Sequence, residues 1–563
     1  MRWLMGILFF LVGVLLTPVS STVAQGTVKP FRLPMDTAAG PSTWLFGQAY
    51  GNTTGAYNFG TAWYSAGQGL HFGIDVSMPC GTPLVAVADG EVIYVDNLAF
   101  GAGPHNLILR HPQAGLTTLY GHLLNPAPLP QFQAVKAGQL VGYSGDPDVT
   151  CDSRPHLHFE VRSLDYRTAY NPLDYIDAPW DALANIGPFG YPLFQQDLTN
   201  PRRWVYLDDQ PPVAFGGIRL NSYAVSWPDD RPPANPPLLQ EAAPLPTAAT
   251  WEMTPLGYDG CCITHWWHPT NASRLYTLDG SPGVVAGITE WDMQTNTMGA
   301  FLGEGLPPMW SPDGTYEISR ANGQVSITRL ADSSTWFVDT GGELPAISAD
   351  NTRLLWLAQN GAFVPGGTPP PVTIWVSDLV GQNRTAIASS APNTRLSARW
   401  LDGSRLLIST VQRTITTLSV YDTASGASYD LGSWDRVRGV SVAPGGGRLL
   451  FYRSFQLDPL TDGVYTIKIE PDAAVEKLPW FGGWRWRDAE SVYYIPFTPT
   501  ETHQALAYYH IPSGENRLLI DPAIMPLTIS QGIWSVSPDG QRIILLNATD
   551  HRLWVLAAVG DAR

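Results

Sequence analysis

A chain of 563 residues is too long for one hydrophobic core, so the sequence predicts at least two domains. Hydrophobic residues make up 44% of the chain and charged residues only 15%, which excludes a disordered protein and is typical of a packed, β-rich one. The net charge of −16, with no run of Lys and Arg, argues against nucleic acid as a partner.

The first 24 residues have the pattern of a secretory signal peptide. Arg2 precedes an apolar stretch at residues 4–16, and small residues lead to Ala24, after which we expect cleavage. The alternative, a membrane anchor, is disfavoured because this stretch is shorter than the ~20 residues that span a bilayer. Since no longer apolar run follows in the sequence, we expect a secreted or extracytoplasmic protein without a stable membrane span after cleavage.

The next segment, residues 40–180, predicts a compact antiparallel β domain. Short runs rich in Val, Ile, Leu and Tyr alternate there with turns that contain glycine. Residues 181–250 are expected to connect this domain to the rest of the chain. Their Pro-dense part, residues 227–246, is expected to be a semi-rigid linker because proline cannot continue a helix or a central strand.

In residues 251–563 a short turn recurs seven times ahead of apolar strands. Two copies read Ser-Pro-Asp-Gly, and the average spacing is the ~40–50 residues that one four-stranded blade requires. The copies lie at residues 268–271, 311–314, 348–351, 401–404, 443–446, 487–490 and 537–540. This pattern resembles the repeat of a TolB-type β-propeller and implies a C-terminal propeller of six or seven blades. The whole chain is therefore expected to be all-β.

Histidine is scarce, with 11 residues in the chain, yet the first domain holds several in phrases typical of ligand sites. His71 and Asp75 stand in the phrase HFGID, His122 stands in YGHL, and His156 and His158 stand in PHLHFE. In an extended strand residues two apart share a face, so the last two imidazoles are expected to point into one cleft.

Two imidazoles and one carboxylate give a zinc ion three protein ligands and leave a fourth position for water, as in catalytic sites. Zinc in such a site lowers the pKa of water toward ~7. Straight strand geometry would separate His71 and Asp75 by about 13 Å, so the chain must bend between them to bind one ion. Gly73 is expected to supply that freedom.

These phrases resemble those of the lysostaphin or LytM type of zinc endopeptidase in order, spacing and flanking residues. The resemblance implies a peptidoglycan hydrolase in which His71, Asp75 and His158 bind one Zn²⁺ ion. It also implies that His122 and His156 orient the attacking water and stabilise the developing oxyanion.

The resemblance covers residues 66–174 and places His111 at a family position that is not a ligand. It does not extend to loop 146–154, where the family has a run rich in Gly, Ser and Thr and this chain has DPDVTCDSR. Specificity for glycyl bridges is therefore not implied. Cys151 lies in that loop and Cys80 follows the HFGID phrase, so the two form either a disulfide that braces the cleft or two free thiols.

Two functions from different classes follow from these observations. The first is a metalloendopeptidase that cleaves peptidoglycan peptides by direct attack of activated water. The second is a non-catalytic envelope protein that binds peptidoglycan or regulates another hydrolase. In both, the propeller is expected to recognise a glycan, a peptide or an envelope protein, with a spacer as the alternative. Adjacent Cys261 and Cys262 could form only a strained bond, so unpaired or structural thiols are favoured over a redox site.

Overall fold

The structure is a computed structural model. It describes residues 28–60, 62–186, 195–199, 204–222, 250–257, 264–279, 287–303, 309–321, 324–361 and 370–559, together with Leu238, Ala242 and Leu245. The predicted signal peptide at 1–24, most of the predicted linker, Cys261 and Cys262 lie outside the described residues.

The predicted all-β fold is confirmed, with strands numbered β1 to β41 along the described part of the chain. Its two α-helices are short, α1 at Thr54–Phe59 and α2 at Trp180–Ala184. Single 3₁₀ turns lie at Ser65–Gly67, Leu98–Phe100, Pro172–Asp174 and Pro459–Thr461. None of the helices among the described residues is long and apolar enough to cross a membrane.

The N-terminal domain is built on one antiparallel sheet of nine strands. They are β1 (Leu45–Gln48), β2 (Ile74–Ser77), β4 (Gly90–Val95), β5 (Leu107–His111), β6 (Leu116–Gly121), β7 (Ala134–Val135), β9 (His156–Ser163), β10 (Thr168–Tyr170) and β13 (Val213–Ala214). Two small sheets pair β3 (Pro83–Val85) with β8 (Leu140–Tyr143) and β11 (Gln195–Gln196) with β12 (Trp204–Val205).

Strand β9 lies between β2 and β6 in the middle of the nine-stranded sheet, in the order β1-β2-β9-β6-β5-β4-β7. Its odd-numbered residues Leu157, Phe159 and Val161 enter the domain core together with Ile74 and Tyr120. Burial of each such side chain contributes about 1.5–3 kcal/mol, which fixes the register of the strand. The even-numbered residues of β9 are thereby held on the opposite face.

The seven-bladed propeller is confirmed, and of the two predicted blade numbers seven is right. Three blades comprise β15–β18 (Thr264–Trp267, Arg274–Asp279, Gly287–Asp292, Thr297–Gly303), β19–β22 (Met309–Trp310, Tyr316–Ala321, Gln324–Arg329, Ser334–Val338) and β23–β26 (Ala346–Ile347, Arg353–Gln359, Val372–Asp378, Thr385–Ser389). Three more comprise β27–β30 (Thr394–Trp400, Arg405–Gln412, Ile415–Asp422, Ser428–Asp435), β31–β34 (Val437–Val442, Arg448–Arg453, Gly463–Lys468, Val475–Lys477) and β35–β38 (Gly482–Trp486, Ser491–Pro496, Leu506–His510, Glu515–Ile520).

The last blade joins the two ends of the propeller. It combines β39 (Ile529–Val536), β40 (Arg542–Asn547) and β41 (Leu553–Val559) with β14 (Thr250–Leu256), the first propeller strand in the chain. β14 pairs with β41 along its whole length, from Thr250 opposite Val559 to Leu256 opposite Leu553. This pairing closes the ring.

Each of the seven recurring turns lies between the first and second strand of a blade. In the copy at 311–314 the Ser311 hydroxyl donates to Asp313 Oδ1 (2.6 Å), which also accepts from the backbone N–H of Thr315 (2.9 Å). Gly314 completes the turn with a φ of 73°, a conformation that favours glycine. The same hydroxyl-to-aspartate bond forms in the copies at 348–351 and 537–540, so side-chain hydrogen bonding stabilises this tight turn in three of the blades.

The two domains share a buried apolar contact. Leu45 and Ile186 belong to one buried cluster with propeller residues that include Tyr452 and Trp484. The backbone N–H of Gln531 in β39 donates to the Asp181 carboxylate in α2 (3.2 Å).

Part of the predicted connecting segment packs on the N-terminal domain. β13 pairs with β10, and the Asn221 amide donates to the carbonyl oxygens of Gly69 (2.5 Å) and Ala56 (3.2 Å). The domain boundaries at residues 180 and 250 stay predictions.

Candidate functional site

The strand order brings the predicted site residues together from separate parts of the sequence. Asp75 in β2 stands directly opposite His158 in β9, and Gly121 at the end of β6 is paired with His158 on its other side. His122 follows β6 immediately, and His156 shares the face of β9 that carries His158. Strands β2 and β9 therefore supply three of the five residues, and His122 joins them from the end of the neighbouring strand β6.

His71, Asp75 and His158 converge on one point, with one donor atom from each lying within 4.8 Å of the others. Asp75 Oδ1 is 2.8 Å from His158 Nδ1 and 3.2 Å from His71 Nε2, and the two imidazole nitrogens are 3.2 Å apart. His71 and His158 are buried, and Asp75 is mostly buried. Two imidazoles and a carboxylate at these distances fit a zinc ion with one coordination position left open.

The ring orientation of both imidazoles is fixed by hydrogen bonds on their far sides. His71 Nδ1 donates to the carbonyl oxygen of Ala49 (2.7 Å), which leaves Nε2 to face Asp75. His158 Nε2 donates to the carboxylate of Glu160 (3.2 Å), which leaves Nδ1 to face Asp75. Such partners fix the tautomer of a ligand histidine and raise its basicity.

Glu160 is a site residue that the sequence analysis did not assign. It is fully buried, and Arg162 donates to it through Nη2 (2.9 Å) and Nε. The alternation along β9 could have revealed Glu160 in the sequence, because residues 156, 158, 160 and 162 share one face of the strand.

Gly73 acts through close packing and not through unusual backbone freedom. A Cβ atom at this position would lie 2.6 Å from the carbonyl oxygen of Phe159 and 2.9 Å from Cε1 of His158. Gly73 does not adopt the positive φ that favours glycine. The expectation that Gly73 supplies a flexible bend is therefore replaced by a requirement for a missing side chain, which lets β2 approach β9.

His122 and His156 lie beside the three-residue cluster. Their ring centroids are 4.7 Å apart, and His156 Nε2 is 3.7 Å from Asp75 Oδ1. His122 Nδ1 donates to the carbonyl oxygen of Gly103, and His156 Nδ1 donates to that of Arg154 (2.7 Å). Each ring thus keeps Nε2 free of these backbone bonds.

The electrostatics separate the two kinds of histidine. Burial and the neighbouring imidazoles of His156 and His158 lower the pKa of His122 to about 3, and burial lowers the pKa of His156. Both rings are therefore neutral at pH 7. Burial would lower the pKa of His158 as well, but its hydrogen bonds to Asp75 and Glu160 raise it to about 9 in the metal-free protein.

The carboxylate of Asp75 stays ionised in spite of its burial. Burial would raise its pKa, but the neighbouring imidazoles of His71 and His156 and the hydrogen bond from His158 hold that pKa well below its usual range. A negative charge is therefore fixed between the imidazoles, which is the condition for binding a divalent cation.

Tyr64 is a second residue that the sequence analysis missed. Its ring meets that of His71 edge-on at 5.4 Å, and burial together with the charge of Asp75 raises the pKa of its phenol. The Tyr64 hydroxyl is therefore un-ionised and remains a hydrogen-bond donor. Its position seven residues before His71, outside every regular element, gave no pattern by which to find it.

Loop 146–154 is held in place beside the site. Cys151 forms a disulfide with Cys80, with Cα atoms 5.9 Å apart. The carboxylate of Asp146 accepts hydrogen bonds from the backbone N–H groups of Ser153 and Arg154 (both 3.1 Å). The loop is thus tied both covalently and by hydrogen bonds.

The two remaining histidines of this domain have structural partners. Buried His111 is bonded to the Asp89 carbonyl oxygen (3.0 Å) and the Thr118 hydroxyl (2.9 Å). His105 Nδ1 lies 2.9 Å from the carboxylate of Asp96. Neither ring takes part in the three-residue cluster.

The propeller approaches the site from the side of loop 146–154. Arg413 of the propeller lies 3.9 Å from Asp152 of the loop. Around this pair is a cavity of about 800 Å³. Its other lining residues are mostly hydroxyl and amide side chains, among them Ser389, Thr394, Thr410, Gln412 and Thr414.

Known proteins resemble this chain in its first domain. Residues 69–172 match the model of peptidase family M23. Lysostaphin from Staphylococcus simulans is 30% identical over 122 residues, which cover 21% of this chain and 24% of lysostaphin. The murein hydrolase activator NlpD from Salmonella dublin is 33% identical over 168 residues, which cover 29% of this chain and 39% of that protein. The chain spans less than half the length of these curated relatives.

Solved structures also align with the propeller part of the chain. TolB from Acinetobacter baumannii has a TM-score of 0.28 and 13% identity, over 51% of this chain and 77% of that one. The predicted peptidase domain and the predicted propeller architecture are both confirmed. The chain carries a peptidase family M23 domain, at residues 69–172, joined to a seven-bladed β-propeller.

Proposed function

We propose that this protein is an extracytoplasmic zinc metalloendopeptidase that hydrolyses peptide bonds in peptidoglycan. One observation carries the proposal, namely the convergence of His71, Asp75 and His158 donor atoms within 4.8 Å. The names of the relatives, lysostaphin and a murein hydrolase activator, support peptidoglycan as the material it acts on.

In this proposal His71 Nε2, His158 Nδ1 and the Asp75 carboxylate hold the ion. Bound zinc would supply Lewis acidity, which lowers the pKa of water and polarises a carbonyl group. The Ala49 carbonyl and the Glu160 carboxylate would keep the two ligand rings in the required tautomers.

His122 and His156 would accept and donate protons during hydrolysis. Each is neutral, and each engages its Nδ1 proton with a backbone carbonyl, so Nε2 can accept a hydrogen bond from the attacking water. Once protonated, the same nitrogen can donate to the developing oxyanion or to the leaving amine.

The experiment is to incubate the purified full-length mature chain with peptidoglycan sacculi and to measure new amino termini. We expect release with zinc, loss of release on chelation and recovery on readdition. His158→Ala should abolish release, and His156→Ala should reduce it by about 10²–10⁴-fold. His105→Ala is the matched control and should have no effect, because its ring pairs with Asp96 away from the cluster. No release under any metal condition would overturn the enzymatic proposal.

The likeness to NlpD favours one alternative, a non-catalytic activator of another murein hydrolase. The His158→Ala protein distinguishes the two. An activator should still stimulate a separately purified peptidoglycan hydrolase after this change, whereas a peptidase should lose its effect on sacculi.

For the propeller we propose a recognition role beside the cleft. The hydroxyl- and amide-rich cavity at Arg413 and Asp152 has the polar lining that a glycan or peptide chain requires. Removing the propeller would expose Leu45 and Ile186, so point substitutions are the better test. Gln412→Ala should weaken retention on sacculi, whereas Gln382→Ala, outside this lining, should not. Equal retention of both variants and the unaltered protein would contradict the role.

A further inference from the structure

Arg154 lies beside the three-residue cluster, and it pairs with no carboxylate of the described residues. The guanidinium carbon of Arg154 lies 4.6 Å from the ring centroid of Trp63. Its side chain is exposed, and among the described residues no acidic side chain lies within ion-pair distance of it. The nearby carboxylate of Asp146 is engaged by backbone N–H groups and by the Ser153 hydroxyl.

The backbone of Arg154 is fixed to the catalytic cleft. Its carbonyl oxygen accepts the Nδ1 hydrogen bond of His156 (2.7 Å), and its N–H donates to Asp146 (3.1 Å). Its positive charge lowers the pKa of both His156 and Tyr64. The guanidinium is therefore close enough to interact electrostatically with His156 on one side of the cleft and with Tyr64 on the other.

The aromatic partner is itself held rigidly. Trp63 stacks on Phe59 with ring centroids 4.3 Å apart and an interplanar angle of 18°, and its side chain is 48% exposed. The next residue, Tyr64, packs against His71. A cation over an indole ring is restricted in orientation while its N–H groups stay available to a ligand.

We propose that Arg154 binds a free carboxylate of the peptide substrate next to the scissile bond, with Trp63 as its positioning residue. This inference rests on the proposed peptidase function and names its substrate class, peptides that carry an acidic group near the cleavage point. A guanidinium can bind a carboxylate through two parallel N–H···O bonds, whereas an uncharged glycyl bridge offers it no such partner. In this proposal loop 146–154, whose sequence departs from the family pattern, supplies the residue that binds the substrate carboxylate.

The test uses two synthetic peptides that differ only in a side-chain carboxylate or carboxamide beside the cleavable bond. Binding is measured by calorimetry on the full chain with zinc chelated, so that no hydrolysis occurs. Hydrolysis is then measured with zinc restored. We expect the carboxylate peptide to bind and to be cleaved with about 10-fold to 100-fold preference.

Arg154→Gln should remove this preference by raising Kd and KM for the carboxylate peptide to the values of the amide peptide. Arg154→Lys should retain part of the preference, because the positive charge remains but the planar guanidinium, which can donate two parallel hydrogen bonds, is lost. Trp63→Leu should weaken the preference for the carboxylate peptide, because the indole ring would no longer orient the Arg154 guanidinium. Arg110→Gln is the matched control, since that arginine pairs with Glu91 on the surface of the same domain.

Equal binding of the two peptides by the unaltered protein would overturn the proposal. So would an equal loss on both peptides in Arg154→Gln, which would indicate a structural role only. Failure of the peptidase proposal would be seen separately, as absence of hydrolysis by the zinc-loaded protein while the binding preference persists.

Discussion

Asp75 and His158 face each other across two antiparallel strands, with Asp75 Oδ1 2.8 Å from His158 Nδ1. The pairing is set by the backbone register of β2 and β9, which in turn follows from burial of Ile74, Leu157 and Phe159 in the core. A slip of one residue would turn His158 into the core, so core packing and ligand placement are specified together.

We predict that Glu160→Gln lowers zinc affinity by about 10-fold to 100-fold, because the neutral amide is a weaker acceptor for His158 Nε2. Zinc competition against a chromogenic chelator measures this directly. Glu91→Gln is the control, since Glu91 pairs with Arg110 far from the ligands in sequence and in sheet order. Unchanged zinc affinity in Glu160→Gln would show that the His158 ring is oriented by something else.

We predict that Gly73→Ala lowers both zinc affinity and thermal stability. The added methyl group would lie 2.6 Å from the Phe159 carbonyl oxygen, so β2 and β9 would have to separate. Overpacking of this kind costs about 1–3 kcal/mol of unfolding free energy. Gly40→Ala, whose Cβ would meet its nearest neighbour at 3.5 Å, should change neither quantity. A Gly73→Ala protein with normal zinc binding would refute the close-approach explanation.

The sequence allowed the ligand phrases and the propeller to be predicted because their patterns are local. Alternation along β9 places His156 and His158 on one face, and a short turn recurs between the first and second strand of each blade. The roles of Tyr64 and Arg154 could not be predicted in this way. Each depends on a contact with a distant or irregular part of the chain, His71 in one case and Trp63 in the other.

The packing of residues 204–222 escaped prediction for a related reason. The segment has only the two-residue strands β12 and β13, so it shows no periodicity. It is held by side-chain amides such as Asn221 and Gln210, which bond to backbone groups more than 150 residues earlier in the chain. Such contacts exist only once the fold has formed.

We predict that replacing both Cys80 and Cys151 by Ser destabilises the N-terminal domain. The bridge closes a loop across a sequence separation of 71 residues, and its loss should lower the unfolding free energy by about 2–4 kcal/mol. Loop 146–154 carries Arg154, so peptide binding should weaken as well. Denaturant unfolding with and without reductant checks this, because reductant should destabilise the native chain and leave the double variant unchanged.

We predict that Asp181→Asn stabilises the protein at pH 7. Burial at the domain contact raises the pKa of Asp181 above its ordinary value near 3.8, against the opposing effect of the Gln531 N–H. An acid whose folded pKa is raised loses stability as the pH rises from its unfolded pKa through its folded one. The thermal midpoint of the variant should therefore exceed that of the native protein at pH 7, and the difference should shrink toward pH 4.

The control for this change is Asp177→Asn, because Asp177 is an exposed residue just before α2. Its substitution should leave the thermal midpoint unchanged at both pH values. A destabilised Asp181→Asn protein at pH 7 would mean that the ionised carboxylate holds the domains together.

The most direct test of the central claim is anomalous diffraction at the zinc absorption edge from crystals of the full mature chain. The account predicts one peak within about 2.0–2.2 Å of His71 Nε2, His158 Nδ1 and an Asp75 carboxylate oxygen. Absence of that peak in zinc-supplemented crystals, or a peak bound by other residues, would contradict it.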